Sequence, residues 1–397
     1  MSTDGRIDLR ATLALALAAA VSLGLARFSY ALLLPPMRAE LGWSYFTAGA
    51  MNTANAAGYL AGALIAPAAL RRVDARTWML AGGALAALLL ALHGLARGEA
   101  VLLLLRAASG MASAASFVGG GLLAARLAAA TPSASGVVLG LYYGGVGLGI
   151  LVSSALVPPL LAAGDGSWPW AWIALGAAAG LATLATSAGT GALTAPPPPG
   201  AARVRFAWRP FAYGLAGYTM FGLGYIGYMT FVVTLLREAG IGATTVSLFY
   251  GVLGCGVVAS SWLWAGLLQR HRGGLPLAVL NGLLALATAL PVLSTRLPVI
   301  FASGALFGAV FLSVVASTTA LVRHNCAPAG WPGGIAAFTI VFAAGQIVGP
   351  GLTGWIADGA GGLSRGLAVS ATLLAIGALL ASRQRALPRA DGGRRLA

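Results

Sequence analysis

Hydrophobic residues come in runs of about twenty, the length that takes a helix across a ~30 Å hydrocarbon layer. Short gaps bearing Arg, Gly and Pro separate them. Counting the runs gives twelve spans, near 11–35, 45–70, 77–95, 100–125, 135–161, 168–189, 209–236, 244–269, 275–294, 298–322, 333–356 and 363–382. The chain therefore reads as an all-α membrane protein with twelve transmembrane helices. Its first run opens on a charged head and an alanine-rich core, as a secretory signal does, but stays apolar through Pro35, which predicts an uncleaved first helix.

One gap stands out from the others. The stretch GTGALTAPPPPGAARVRFAWRP, Gly189 to Pro210, holds four consecutive prolines and a basic cluster, the pattern of an extended linker at a membrane surface. It separates six spans from six. The halves echo each other at an offset of about 200 residues: Gly145 and Gly149 match Gly345 and Gly349, Arg72 matches Arg272, and Gly42 matches Gly242. This predicts two pseudo-symmetric six-helix bundles, 1–189 and 209–383, joined by a cytoplasmic linker at 190–208 and followed by a basic tail at 384–397.

Composition agrees with the pattern. Of 397 residues, 59% are hydrophobic and only 8% charged, far from the ~25% of a soluble domain. The formal charge of +15 would suggest nucleic acid, were it not that the arginines lie in the gaps and favour alternate sides. With twelve spans, seventeen fall on the side of both termini, five on the other, and Arg27 and Arg106 inside spans. The rich side is expected to be cytoplasmic, which makes the chain a multi-pass protein of a bacterial inner membrane with both termini inside. No nucleic-acid partner is expected.

All 24 basic residues are Arg. The missing lysine removes Walker-type ATPase and pyridoxal chemistry. His93, His271 and His324 are far apart and Cys255 and Cys326 share no ligand spacing, so neither a metal site nor a cofactor is expected. Nothing requires more than a monomer.

Three local patterns carry a family resemblance. RAASG sets Arg106 four residues before Gly110 in the fourth span; GLYYGGVGLG fills the fifth; GQIVGPGLTGWIAD fills the eleventh. Together with the six-plus-six layout, these resemble the major facilitator superfamily of transporters along essentially the whole chain. The openings ARFSYALLLPPMRAELGWSYFTAG and NTANAAGYLAGAL look most like its bacterial YbfB/YjiJ-type branch. PAALRRVDAR departs from the family's loop between spans two and three: Arg72 and Arg76 match, whereas Asp74 stands at another position than the family's acid. The resemblance implies a major facilitator fold, alternating access, and a central cavity lined by spans one and four.

That cavity would hold Arg27 and Arg106. Arg27 lies ~12 Å and Arg106 ~9 Å from the periplasmic ends of their spans at 1.5 Å per residue. A cation at this depth is costly and reads as functional. All nine acids, Asp4, Asp8, Glu40, Asp74, Glu99, Asp165, Glu238, Asp358 and Asp391, fall at span ends or in loops, so an anionic substrate would supply the counter-charge. Arg106 has a second reading, holding spans together through backbone carbonyls. Arg27 has one too, snorkelling to headgroups, which its depth opposes. The absence of a buried acid argues for facilitated transport, exchange, or a coupling proton carried on the substrate.

Asn52, Asn55 and Tyr59 follow one face of span two, and Tyr218, Phe221, Tyr225 and Tyr228 one face of span seven. With Tyr30, Tyr142, Tyr143, Phe338 and Gln346 they outline walls for a small amphiphilic or aromatic anion; Ser317 and Thr318 could add hydroxyls. Gly110, Gly145, Gly149, Gly345, Gly349 and Pro350, with Arg72, Asp74 and Arg76, are the expected gating positions, the small-residue pairs permitting helices to slide closely. The reading is a secondary or facilitative transporter of a small organic anion. Its alternative is proton-coupled efflux of neutral or lipophilic compounds. A membrane enzyme lacks its acid or His pair.

Overall fold

In hydrocarbon every backbone donor and acceptor must be bonded within the protein, and this chain meets that demand with helices. The computed structural model describes residues 8–131, 134–164, 166–193 and 206–387. Most of the expected linker and tail thus lies outside the described residues, as do Asp4, Asp165 and Asp391. The described residues form twelve membrane-length helices. The first six are α1 (Leu9–Leu41), α2 (Tyr45–Ala69), α3 (Ala75–His93), α4 (Glu99–Ala130), α5 (Ser135–Leu161) and α6 (Trp168–Gly189). The second six are α7 (Ala212–Glu238), α8 (Ala243–Leu263), α9 (Leu275–Leu293), α10 (Leu297–Asn325), α11 (Trp331–Ala357) and α12 (Gly362–Ser382).

Eleven of these are long and apolar enough to cross a membrane; α2 falls short in composition, Asn52 and Asn55 interrupting its apolar run. That helix survives because its polar face is covered by protein: Asn52 is 4% and Asn55 0% exposed. The helices also outrun the apolar windows, α1 to Leu41 and α4 to Ala130.

The same pairings occur in each set of six. α2 packs on α4 as α8 does on α10, α1 on α5 as α7 on α11, and α3 on α6 as α9 on α12. The two sets meet mainly along α2 with α11 and α5 with α8, and α1 with α7. An even helix number puts the described ends of the chain on one face, called the terminal face below; the other is the distal face. One sequence match shifts in register. Gly42 takes φ +66° just after α1, but its counterpart after α7 is Gly240 at φ +81°, not Gly242.

Polar contacts between the halves tie the distal face along α1, α2, α7 and α11, beside a cavity of about 800 Å³ lined from α1, α5, α7 and α8 by Pro35, Pro158, Val233 and Val246 among others. Asp358, at the end of α11, accepts from the backbone N–H of Tyr45 at 2.7 Å and of Phe46 at 2.9 Å, capping α2 from the opposite half. Glu238, at the end of α7, takes the Tyr45 hydroxyl at 2.6 Å and the Arg38 guanidinium at 3.3 Å. Deeper in, Thr53 donates to the Ile347 carbonyl at 2.7 Å, Asn52 to Thr230 at 2.7 Å and Tyr250 to the Phe28 carbonyl at 2.6 Å. On the terminal side of Arg27, no hydrogen bond between the halves is found among the described residues, and Tyr59 and Phe342 there are half-buried. Hydrogen bonds between the halves thus lie at Arg27 and on its distal side.

Candidate functional site

The centre of the molecule begins with a defect in α1. Residues Ala20–Phe28 widen into a π-helical segment, seen in the Ser29 N–H reaching back five residues to Gly24 at 3.2 Å. Such segments are rare and gather at functional sites. Gly24 and Gly149 make room for it: a Cβ on Gly24 would lie 2.5 Å from the Gly149 Cα. The segment carries Arg27 at its last turn.

Arg27 is 4% exposed and lies where the halves meet. Its Nη2 donates to the Gln346 side-chain oxygen on α11, and the Tyr225 hydroxyl on α7 donates to the same oxygen at 2.9 Å. Its Nε is buried with no partner. The guanidinium carbon stands 5.9 Å from the ring centres of Phe28 and Tyr59. Among the described residues no carboxylate comes within ion-pair distance of it.

Arg106 differs. At 1% exposure it donates to the Ala26 carbonyl at 3.1 Å, the Met51 carbonyl at 3.4 Å and the Asn52 side-chain oxygen at 2.9 Å, over the Tyr30 ring at 4.7 Å. The bonding is that of the second sequence reading, in which Arg106 ties α1, α2 and α4 together. Its charge stays near Arg27, and each of its three nitrogens already donates to the protein. Asn52 passes the connection on, giving its own amide hydrogen to Thr230 across the halves.

A ladder of near-parallel rings runs from Arg27 toward the terminal face. Tyr225 stacks on Phe221 at 4.6 Å, Phe221 on Phe342 at 5.3 Å and Tyr218 on Phe342 at 5.0 Å, while Phe311 flanks Tyr225 at 6.1 Å. Phe338 closes it against Tyr218 at 5.9 Å.

The structure thus brings together Arg27, Tyr59, Tyr225 and Gln346, with Asn52 and Arg106 behind and Tyr218, Phe221 and Phe338 alongside. Four predicted wall residues instead pack inside one half. Tyr30 donates to the Ala48 carbonyl, Tyr142 to the Phe117 carbonyl and Asn55 to the Arg106 carbonyl; Tyr228 pairs with Ser303 over the Phe307 ring. Helical spacing told that a face is covered but not by what.

The gating positions need a similar correction. Gly145 and Gly149 abut the Ala16 and Ala20 carbonyls of α1, Gly345 and Gly349 abut α7, and Gly110 abuts Asn55. All are close contacts within a half. The glycines at the seam include Gly140 against Trp262, Gly147 against Gly254, Gly49 against Pro350, and Gly354 against Tyr45; Pro350 alone of the named set lies there. At the terminal face Asp74 caps α3, accepting from Arg76 N at 2.9 Å and Thr77 N at 3.0 Å. Burial raises the Asp74 pKa slightly, but the Thr77 hydroxyl, these two N–H groups and the Arg76 charge outweigh it and hold the carboxyl below its usual range. Arg76 reaches Ser187 and Thr190 at the end of α6, and Arg72 is exposed. None of the three bridges the halves here.

Sequence reasoning missed Phe342, Phe311 and Thr230, and the distal quartet Arg38, Tyr45, Glu238 and Asp358. One signal was present: Arg38 and Glu238 are 200 residues apart, the offset of the repeat, and carry opposite charge.

Two six-helix bundles meet around a buried polar site, and the family match gives that layout its class, a membrane transporter. The chain belongs to the family described as the uncharacterised MFS-type transporter YbfB, whose model matches residues 19–382. No curated relative matches. Solved structures similar in fold include a bacterial homolog of the human lysosomal transporter Spinster in an inward-facing, unoccupied conformation (14% identity, 96% of this chain and 97% of that one, TM-score 0.70). A variant of the nucleoside transporter NupG is also similar (13%, 94% and 99%, TM-score 0.73), as is the human organic anion transporter MFSD10 (14%, 94% and 99%, TM-score 0.59).

Proposed function

We propose that the protein moves a small organic anion across the bacterial inner membrane by alternating access, with the arginine-rich terminal face in the cytoplasm. The observation that carries this reading is the guanidinium of Arg27, buried between the halves, with an unpartnered Nε and no carboxylate beside it. An uncompensated cation at that depth is costly until an anion arrives, and an arriving anion gains what the protein withholds. Arg27, Tyr59 and Tyr225 contact the substrate, and Gln346 holds the Arg27 guanidinium until it arrives; Asn52 and Arg106 position them. Titratable groups do not line this centre among the described residues apart from tyrosines, which supports uniport, exchange, or a proton carried on the substrate.

Purified protein in liposomes is expected to exchange a labelled organic anion, and Arg27→Gln to abolish exchange while leaving a folded, monodisperse protein. Unchanged exchange in that variant removes Arg27 from the site. The ring ladder favours a second reading, export of a neutral lipophile; transport of uncharged aromatic compounds that survives Arg27→Gln would establish it instead.

A further inference from the structure

The bonding of Arg27 says more about the cargo, given the anion reading above. Nε and Nη2 point their N–H groups along one edge of the guanidinium, the edge that pairs side-on with a carboxylate. Here Nη2 is engaged by the Gln346 oxygen and Nε by nothing. An amide offers one oxygen, so it can fill only half of the fork; a carboxylate offers two at matching spacing. The Tyr225 hydroxyl adds a third donor aimed at the same spot, 2.9 Å from the Gln346 oxygen. The fork offers donors to two oxygens and one is engaged.

We infer that Gln346 is a tethered stand-in for the substrate, and that the cargo is a planar aromatic monocarboxylate whose carboxylate displaces the Gln346 oxygen from Arg27 and Tyr225. The single negative charge follows from Arg106: all three of its nitrogens already donate to the protein, to Ala26, Met51 and Asn52, so it presents no fork with both arms unengaged to a second carboxylate or to a third phosphate oxygen. The planar body follows from the ladder, in which Tyr225 and Phe221 lie 20° from parallel and Phe342, half-buried, presents a ring alongside.

Displacement also has a mechanical result. Gln346 is on α11 and Arg27 on α1, so their bond joins the halves. Of the hydrogen bonds between the halves, it is one of the two made by the site's own polar side chains, with Asn52 to Thr230 the other. Cargo that takes Arg27 away from Gln346 cuts one of the ties holding the distal side shut, so binding and release of the halves are one event.

The test uses the full-length protein in detergent, with thermal shift and equilibrium binding for phenylacetate, benzyl alcohol, phthalate and phenyl phosphate. Wild type is expected to prefer phenylacetate over each of the others by about tenfold or more, the scale of one charge-assisted pair. Gln346→Ala, removing the competitor, is expected to tighten phenylacetate several-fold. Gln346→Glu, supplying a permanent carboxylate, is expected to raise the melting temperature and eliminate binding. If Gln346→Glu does not fold, Gln346→Ala decides alone. Weaker phenylacetate binding in Gln346→Ala would make Gln346 a ligand and overturn the inference, as would phthalate or phenyl phosphate binding equally well through Arg27; either leaves the anion reading standing. Failure of all three anions to show Arg27-dependent binding overturns both.

Discussion

Two arginines equally visible in the sequence do different work because of what surrounds them. Removing the Arg106 side chain leaves the Asn52 oxygen without its donor, at about 1–3 kcal/mol for the orphaned group, and takes away the ties to the Ala26 and Met51 carbonyls. Arg106→Leu is therefore expected to lower thermal stability sharply while leaving phenylacetate affinity of the folded fraction within a few-fold, the opposite balance from Arg27→Gln. Thermal unfolding alongside binding separates the two. Asp74 is a smaller case. As the α3 cap it should contribute about 1 kcal/mol, lost in Asp74→Ala. Because its folded pKa is depressed, that contribution is present above the ordinary carboxylate range and disappears as pH falls through the lower folded value. A wild-type versus Asp74→Ala stability difference that shrinks on acidification is the expected result. At this scale the sequence showed which charges were buried in spans; it did not show that Asn52 and two carbonyls would absorb one of them, since those acceptors come from turns far apart in the chain.

Helix number was legible from hydrophobic run lengths, since the ~30 Å layer imposes them, and the second half could be aligned on the first by its glycines. Which neighbour each glycine meets was not legible, because small-residue spacing fixes a face and not a partner. Contacts within a half proved the closer ones. A Cβ on Gly145 would lie 2.0 Å from the Ala16 carbonyl oxygen, and one on Gly149 2.4 Å from that of Ala20, with backbone on both sides. Gly149→Val is expected to force the π-helical segment off α5 and abolish folded protein, whereas Gly136→Val, where nothing lies within 4 Å, should not; yields by size-exclusion chromatography check the pair. The π-helical widening itself had only faint marks in the sequence, Ser22, Gly24 and Ser29 close together near Arg27.

Across the whole molecule, the distal closure rests on carboxylates of the second half gripping the first. Loop acids in a sequence look like solvated charge, which is why Asp358 and Glu238 went unnoticed as partners of α2 and α1. Asp358→Ala leaves the Tyr45 and Phe46 N–H groups uncapped and is expected to weaken the distal-closed state. A cysteine at Thr53, in a background without Cys255 and Cys326, should then react several-fold faster with a membrane-impermeant maleimide applied from the distal side. Reversing one charge, Arg38→Glu, should do the same, and the double exchange Arg38→Glu with Glu238→Arg should slow labelling again; equal rates in all four proteins would show that the quartet does not bear on access.

The closure is also lopsided. At the start of α2 a foreign carboxylate seals the helix end, while at the corresponding start of α8 no side chain caps it; near that end Ser247 donates to the Ser154 carbonyl, and α5 and α8 close up through glycines only deeper in, at Gly254 and Gly147. One margin is fastened by a clasp and the other behaves as a spine. When the far mouth parts, it is therefore expected to yield along the clasped margin first, like a cover lifting from its binding, so that a molecule crossing it passes between α2 and α11.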